Sequence, residues 1–153
     1  MTQISNISIR AGKYEDIPYV FSWVQSLALF EKAPEAVVTS EEELRRDLFE
    51  SGNGPQLIIA EHNNQPVGMA LFYEAYSTWK GKMMFLDDLF VEESHRGLGI
   101  GRELMQHLFQ ICKERGYRQM RWQVLHWNTR AIEFYEELGA TVDTEWYTCK
   151  MNF

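Results

Sequence analysis

Residues 96–102 read Arg-Gly-Leu-Gly-Ile-Gly-Arg, and no other stretch constrains this chain as strongly. A long apolar run, 83–91, precedes them, and Ile100, Leu104, Leu108, Ile111 and Cys112 follow at helical spacing up to Gly116. A strand that passes through glycines straight into a helix aims backbone N–H groups at one point beside the helix's positive end. Without Cβ atoms, that point is close enough to the backbone to receive a phosphate. A P-loop would end in Gly-Lys-Ser/Thr, whereas Gly101 is followed by Arg102 and Glu103. A dinucleotide fingerprint would place its third glycine where Arg102 stands, in a first βαβ unit with an acid ~20 residues onward. Neither fits, and R-x-x-G-x-G at a strand-to-helix junction remains. The plain alternative is a loop that uses glycine only to turn.

The rest of the chain supplies a sheet around this junction. Ile7 and Ile9 alternate with polar residues as in a half-buried strand. Ile17, Val20, Phe21, Val24, Leu27 and Ala28 form a helical stripe ending near Phe30, with Asp16 as candidate cap and Pro18 in the first turn. Thr39 with Glu42, or Ser40 with Glu43, offers a capping box for a second helix ending before Gly52. Residues 57–61 and 67–73 are β-rich and joined by a hairpin at 62–65, and after a polar loop at 77–81 the run 83–91 completes a meander. Strand 120–125, a short helix starting at Asn128 or Thr129 and closed by Gly139, and a last strand at 146–151 follow. The fold class is α/β, with a mixed central sheet flanked by helices. No repeat or linker divides the chain, so residues 1–153 read as one domain.

Fifteen basic against 22 acidic residues give a net charge of −7, which excludes sequence-independent nucleic-acid binding and favours cationic partners. The N-terminal stretch lacks the basic and apolar regions of a signal peptide, and no run approaches the ~20 apolar residues of a membrane span. Cys112 and Cys149 lie far apart with no C-x-x-C pattern, so core thiols in a reducing, cytoplasmic setting are expected, and no metal.

Leu86-Asp87-Asp88-Leu89-Phe90-Val91 before the glycine turn, the turn itself, and Trp127-Asn128 with Phe134-Tyr135 after it resemble, in order, the motifs of the GNAT N-acetyltransferases. Leu29-Phe30-Glu31, residues 41–47 and Ser77-Thr78-Trp79-Lys80-Gly81 are similar to the diamine branch, which holds the spermidine/spermine and thialysine acetyltransferases. The likeness covers almost the whole chain except its C-terminal tail. It implies a mostly antiparallel GNAT sheet, acetyl-CoA as co-substrate, a small primary amine as acceptor, direct attack within a ternary complex, and a homodimer. Leu89, Phe90 and Val91 would pair with the pantetheine arm as an added strand. Arg96, Gly97, Leu98, Gly99, Ile100, Gly101 and Arg102 would hold the diphosphate, with a hydrogen bond to the cofactor from Asn128, which by spacing alone is an N-cap.

Attack on a thioester needs a neutral nitrogen. For an ammonium of pKa about 10.4, neutrality at pH 7 costs roughly 4.6 kcal/mol, and a nearby carboxylate lowers that cost by taking the proton. Asp87 stands where the diamine branch has Glu, which makes it the candidate base, acting through water because Asp is one methylene shorter. Adjacent residues of a strand point to opposite faces, so only one of Asp87 and Asp88 is expected in the site. Ion pairing or capping of a bulge is the structural alternative for either. Tyr135 is the implied acid for the departing thiolate, although spacing alone makes Phe134 and Tyr135 core aromatics. His126 reads as structural.

For the acceptor, the resemblance implies Phe30, Glu31, Trp79, Asp87, Asp88, Arg121, Trp122 and Gln123, where aromatic walls and acids suit an ammonium. Unaided, Phe30 reads as core and Glu31 as solvent-facing. Ser77 stands where the polyamine enzymes carry aspartate, and Phe30 where they carry tyrosine. Both departures favour a thialysine-like amino acid or short diamine over spermine. Acetylation of polyamines or protein lysines, and a noncatalytic CoA-binding sensor, are the competing readings.

Overall fold

The structure is a computed structural model that describes residues 6–153; the first five residues of the N-terminal stretch lie outside the described residues. It divides into two compact units, one up to Trp122 and one over Gln123–Phe153.

The first unit is a five-stranded sheet in the order β1-β2-β3-β4-β5: β1 Ile7–Ala11, β2 Gln56–His62, β3 Gln65–Ser77, β4 Gly81–Val91 and β5 Met120–Arg121. Neighbours are antiparallel except β4 and β5, which run parallel. Asn63 and Asn64, both at positive φ, close the β2–β3 hairpin in the conformation that matches strand twist. Helix α1, Ile17–Phe30, lays Val20 and Trp23 on Leu57, Ile59, Met69, Leu71 and Phe90. Helix α2, Glu41–Arg45, continues as a π turn over Arg46–Glu50 and starts at Ser40, whose Oγ accepts the Glu43 N–H at 3.2 Å. Helix α3, Ile100–Arg115, covers the opposite face with Leu104, Met105, Leu108 and Cys112, the last meeting Met84 at 3.8 Å. Gly116, at φ 71°, ends it.

Asp16 sits at the N-cap position of α1, yet its side chain does not cap that helix. Its buried carboxylate accepts two bonds from Arg10, at 2.7 and 2.9 Å, and one from the Lys13 N–H. Burial alone would raise its pKa, and these donors reverse the direction and hold it below the usual carboxylate range.

Strand 120–125 pairs only at Met120 and Arg121, against Met84 and Phe85. The second unit contains helix α4, Thr129–Glu137, begun by Asn128, whose Oδ1 accepts the Ala131 N–H at 3.3 Å. Residues 146–151 form no strand: their apolar pattern carries β propensity, but Trp146, Tyr147 and Met151 are exposed and no ladder forms there. Cys112 is buried as expected, whereas Cys149 is exposed and so is not a core thiol. Among the described residues no helix is long and apolar enough to cross a membrane.

Candidate active site

A β-bulge in β4 creates the acidic end of the site. Leu71 pairs with Asp88 and Phe72 with Leu86, which leaves Asp87 as the extra residue. Side-chain parity changes across it. Met84 packs toward Cys112 of α3, whereas Phe90, six residues on, stacks on Trp23 of α1 with centroids 5.8 Å apart. An unbroken strand would send both to the same face.

Asp87 and Asp88 therefore do not diverge as the sequence suggested. Both line one cleft of about 260 Å³ together with Val24, Leu27 and Ala28 of α1, Glu31 just past its end, and the segment 36–39. Among the described residues lining it there are three carboxylates and no basic side chain. The half-buried Asp88 has its pKa pushed up to about 7, first by burial, then by the charges of Asp87 and Glu31 and a hydrogen bond with Asp87. Burial and the charge of Asp87 also raise Glu31.

Tyr73 was not singled out by its sequence context. It stacks on its cross-strand partner Phe85 at 5.3 Å, and burial followed by the charge of Asp87 raises its phenol. Only the pairing register reveals that proximity. The aliphatic wall of the cleft is part of the apolar stripe of α1. Its signal was the stripe continuing through Val24, Leu27 and Ala28 to Glu31, with the cleft opening at the helix end.

The glycine turn has the form expected of an anion cradle. Gly97 and Gly99 sit at φ 82° and 84°, in the left-handed region, and a Cβ on either would meet nothing within 4 Å. Gly99 is the N-cap of α3, and Gly101 already lies inside the helix. Arg96 donates from Nε to the Val91 carbonyl at 3.1 Å, which leaves both Nη groups to the chemistry of a diphosphate. Arg102 stands on the first turn of α3. Because β5 pairs with β4 no further than Phe85, the β5 side of Leu89, Phe90 and Val91 has no strand partner among the described residues. The residues present therefore fit a co-substrate with an anionic diphosphate and an extended amide-bearing arm.

The remaining candidates are more scattered. Phe30, at the end of α1, and Trp79, in the β3–β4 turn, are exposed and do not line the cleft. Ser77 organises that turn by accepting the Trp79 and Lys80 N–H groups, each at 3.2 Å. Arg121 is exposed on β5 and bonds Gln119, while Trp122, at the end of the first unit, is half-buried. In the second unit Gln123 bonds Thr148, and the half-buried Tyr135 packs beside Phe134 at 5.4 Å.

Residues 22–140 match the acetyltransferase (GNAT) family model. The chain is 35% identical over 147 residues to a thialysine N-epsilon-acetyltransferase of Bos taurus, covering 91% of this chain and 86% of that protein. It is 34% identical to a protein of the same name from Caenorhabditis elegans, covering 87% and 84%. A spermidine/spermine N(1)-acetyltransferase-like protein of Homo sapiens is 31% identical over 99% of this chain and 23% of its own length. Among solved structures, an integron cassette protein from the mobile metagenome of V. cholerae superposes with a TM-score of 0.78 at 23% identity, covering 97% and 93% of the two chains. An aminoglycoside acetyltransferase from an uncultured soil metagenomic sample gives 0.77 at 18% identity and 97% of each. The order of elements, the glycine cradle and these likenesses agree: the chain belongs to the GNAT family of N-acetyltransferases.

Proposed function

We propose that this enzyme transfers the acetyl group of acetyl-CoA to the primary amine of a small molecule, a thialysine-like amino acid or a short diamine, by direct attack in a ternary complex. The observation that carries the acceptor class is the cleft at the bulge: three carboxylates, an aliphatic wall and no basic lining residue. An ammonium on a short alkyl chain satisfies all three features. At about 260 Å³ the cleft lies just under the ~300–1,000 Å³ usual for small-molecule sites, in keeping with a small acceptor group. An acceptor's amino-acid end finds no cation in this cleft and would stay outside it.

Acetyl-CoA supplies the activated acyl group. Gly97, Gly99 and Arg96 would hold its diphosphate, with Arg102 and Asn128 as further contacts, and the open edge at Leu89, Phe90 and Val91 would hold its arm. The carboxyl pair Asp87–Asp88 takes a proton from the bound ammonium, directly or through water, and frees the lone pair that forms the N–C bond. A carboxylate with a pKa near 7 is well matched to that task at neutral pH. Tyr135 gives its phenol proton to sulfur as the C–S bond breaks, and is restored by the second proton lost from nitrogen as the amide forms. Glu31 adds attraction for the cation, and Phe30, Trp79, Arg121, Trp122 and Gln123 would complete the acceptor's surroundings.

We further propose that residues 1–153 form one catalytic domain, since the family model runs across both units, and that the enzyme works as a cytoplasmic homodimer. The deciding experiment is free-thiol release from acetyl-CoA with a panel of thialysine, lysine, ornithine, short diamines and polyamines. Turnover concentrated in the first members is expected. Silence across the panel, or much faster acetylation of lysine-containing peptides, would overturn the small-amine reading.

A further inference from the structure

We propose that Glu92 is a positioning residue that holds the entrance of the glycine cradle in register with the main core, acting through Trp23. The inference rests on the reading of that cradle as the CoA diphosphate site. Gly97 and Gly99 give the cradle its shape, but glycine holds no shape by itself: with open space around both, the turn's geometry is set where the chain enters and leaves it. The exit is α3, fixed by buried Ile100, Leu104, Met105 and Leu108.

The entrance is the 3-10 turn Glu93–His95, and Glu92 caps it. Its N–H donates to the Val67 carbonyl at 2.8 Å, and its carbonyl accepts the His95 N–H at 2.9 Å. Its carboxylate accepts the indole N–H of Trp23 at 3.2 Å and lies 3.8 Å from Nδ1 of His95. Nδ1 of His95 is in turn 2.9 Å from the Ser94 hydroxyl, and the ring meets that of His62 edge-on at 5.3 Å.

Trp23 is the fixed end of this strut. It is 3% exposed, belongs to the main core cluster and stacks on Phe90. On the same helix its neighbour Val24 and, one turn further along, Leu27 and Ala28 line the acceptor cleft. The indole–carboxylate bond therefore ties the cradle's entrance to the helix that shapes the acceptor site. A charge-assisted bond from a buried donor is strong enough to hold that setting, and preorganising a cradle lowers the ordering cost of binding.

The test is calorimetric titration of CoA into wild-type protein, Glu92→Ala, Glu92→Gln and Trp23→Phe, with kinetics on the best amine of the panel. Glu92→Ala should raise the Kd for CoA about tenfold, with kcat at saturating acetyl-CoA within about twofold. Glu92→Gln keeps an oxygen for the indole and should stay within about threefold of wild type. Trp23→Phe should weaken CoA binding, and its combination with Glu92→Ala should add little to the alanine variant, because both remove one bond. Unchanged CoA affinity in Glu92→Ala, or a Gln variant as weak as the Ala variant, would overturn the inference; these two suffice if Trp23→Phe does not fold. Wild-type protein that fails to bind CoA would instead defeat the assignment of the cradle.

Discussion

Replacing Asp88 by Asn tests the chemistry of the cleft through stability and rate together. The folded protein raises this carboxyl from its ordinary 3.8 to about 7, so folding binds a proton more tightly than the unfolded chain does. Below pH 3.8 both states are protonated and the group is neutral to stability. Between 3.8 and 7 the folded state retains a proton that the unfolded state has lost, and stability declines as pH rises. Above 7 both are ionised, and the cost of keeping this charge beside Asp87 and Glu31 reaches about 4 kcal/mol as an upper figure, from a shift of roughly three units. Asn removes that charge. Asp88→Asn should therefore melt higher than wild type at pH 8, by about 4–8 °C for a gain of about 2 kcal/mol, and the difference should shrink toward zero near pH 4. Acetyl transfer should fall by about 10²-fold or more in the same variant, since the carboxyl pair that accepts the proton loses its member with a pKa near 7. In the wild type, kcat/KM should drop about tenfold per pH unit below pH 7, and Asp87→Asn should move that limb to lower pH by removing a neighbouring charge. Thermal melts from pH 4 to 8 and thiol-release rates measure all four. A variant that melts lower than wild type at pH 8, or whose difference does not vary with pH, would refute the account of Asp88 as a costly charge kept for function.

Three further outcomes are expected. Tyr135→Phe should reduce kcat while leaving the CoA Kd within about twofold, because a phenol that only protonates sulfur adds little to ground-state binding; equal kcat would remove it as the acid. Gly99→Ala and Gly116→Ala, both at left-handed φ, should each lose roughly 1–2 kcal/mol of stability, while only the first weakens CoA binding measured by titration. Asp16→Asn should destabilise the fold by about 3 kcal/mol in denaturant unfolding, because it weakens a buried, doubly bonded partner of Arg10. As the Asp16 pKa is lowered by folding, its contribution is present above pH 3.8 and is lost as pH falls below that value.

Much of the fold was legible in local pattern, and its failures share a cause. The stripe of α1, the Asn63–Asn64 turn, the Ser40 cap and Gly116 each express a preference that a few neighbouring residues satisfy among themselves. Strand 146–151 and the second half of 120–125 depend on an edge to pair with, and propensity says nothing about whether that edge exists. Asp16 was misread for a similar reason. Its position suits an N-cap, but Arg10 of β1 competes for the carboxylate and wins with two hydrogen bonds.

The site shows the same boundary at finer scale. The glycine turn was readable because its requirement is local: left-handed φ at Gly97 and Gly99 and no atoms where a Cβ would stand. The acidic cleft was readable only through the resemblance, which groups Glu31, Asp87 and Asp88; strand alternation alone parts the two aspartates, because one inserted residue in β4 reverses every side chain after it. Nothing in the composition of Leu86-Asp87-Asp88-Leu89 announces the bulge; it becomes visible through the packing of Met84 on α3 and Phe90 on α1, two residues of equal parity on opposite faces. The core thus demands the bulge, and the bulge gathers two like charges at the end of α1 beside Glu31. Such a gathering opposes folding at neutral pH, and local consistency is expected to break where function requires it. Where parity fails and the residues at the failure are acids, the break itself marks the candidate site.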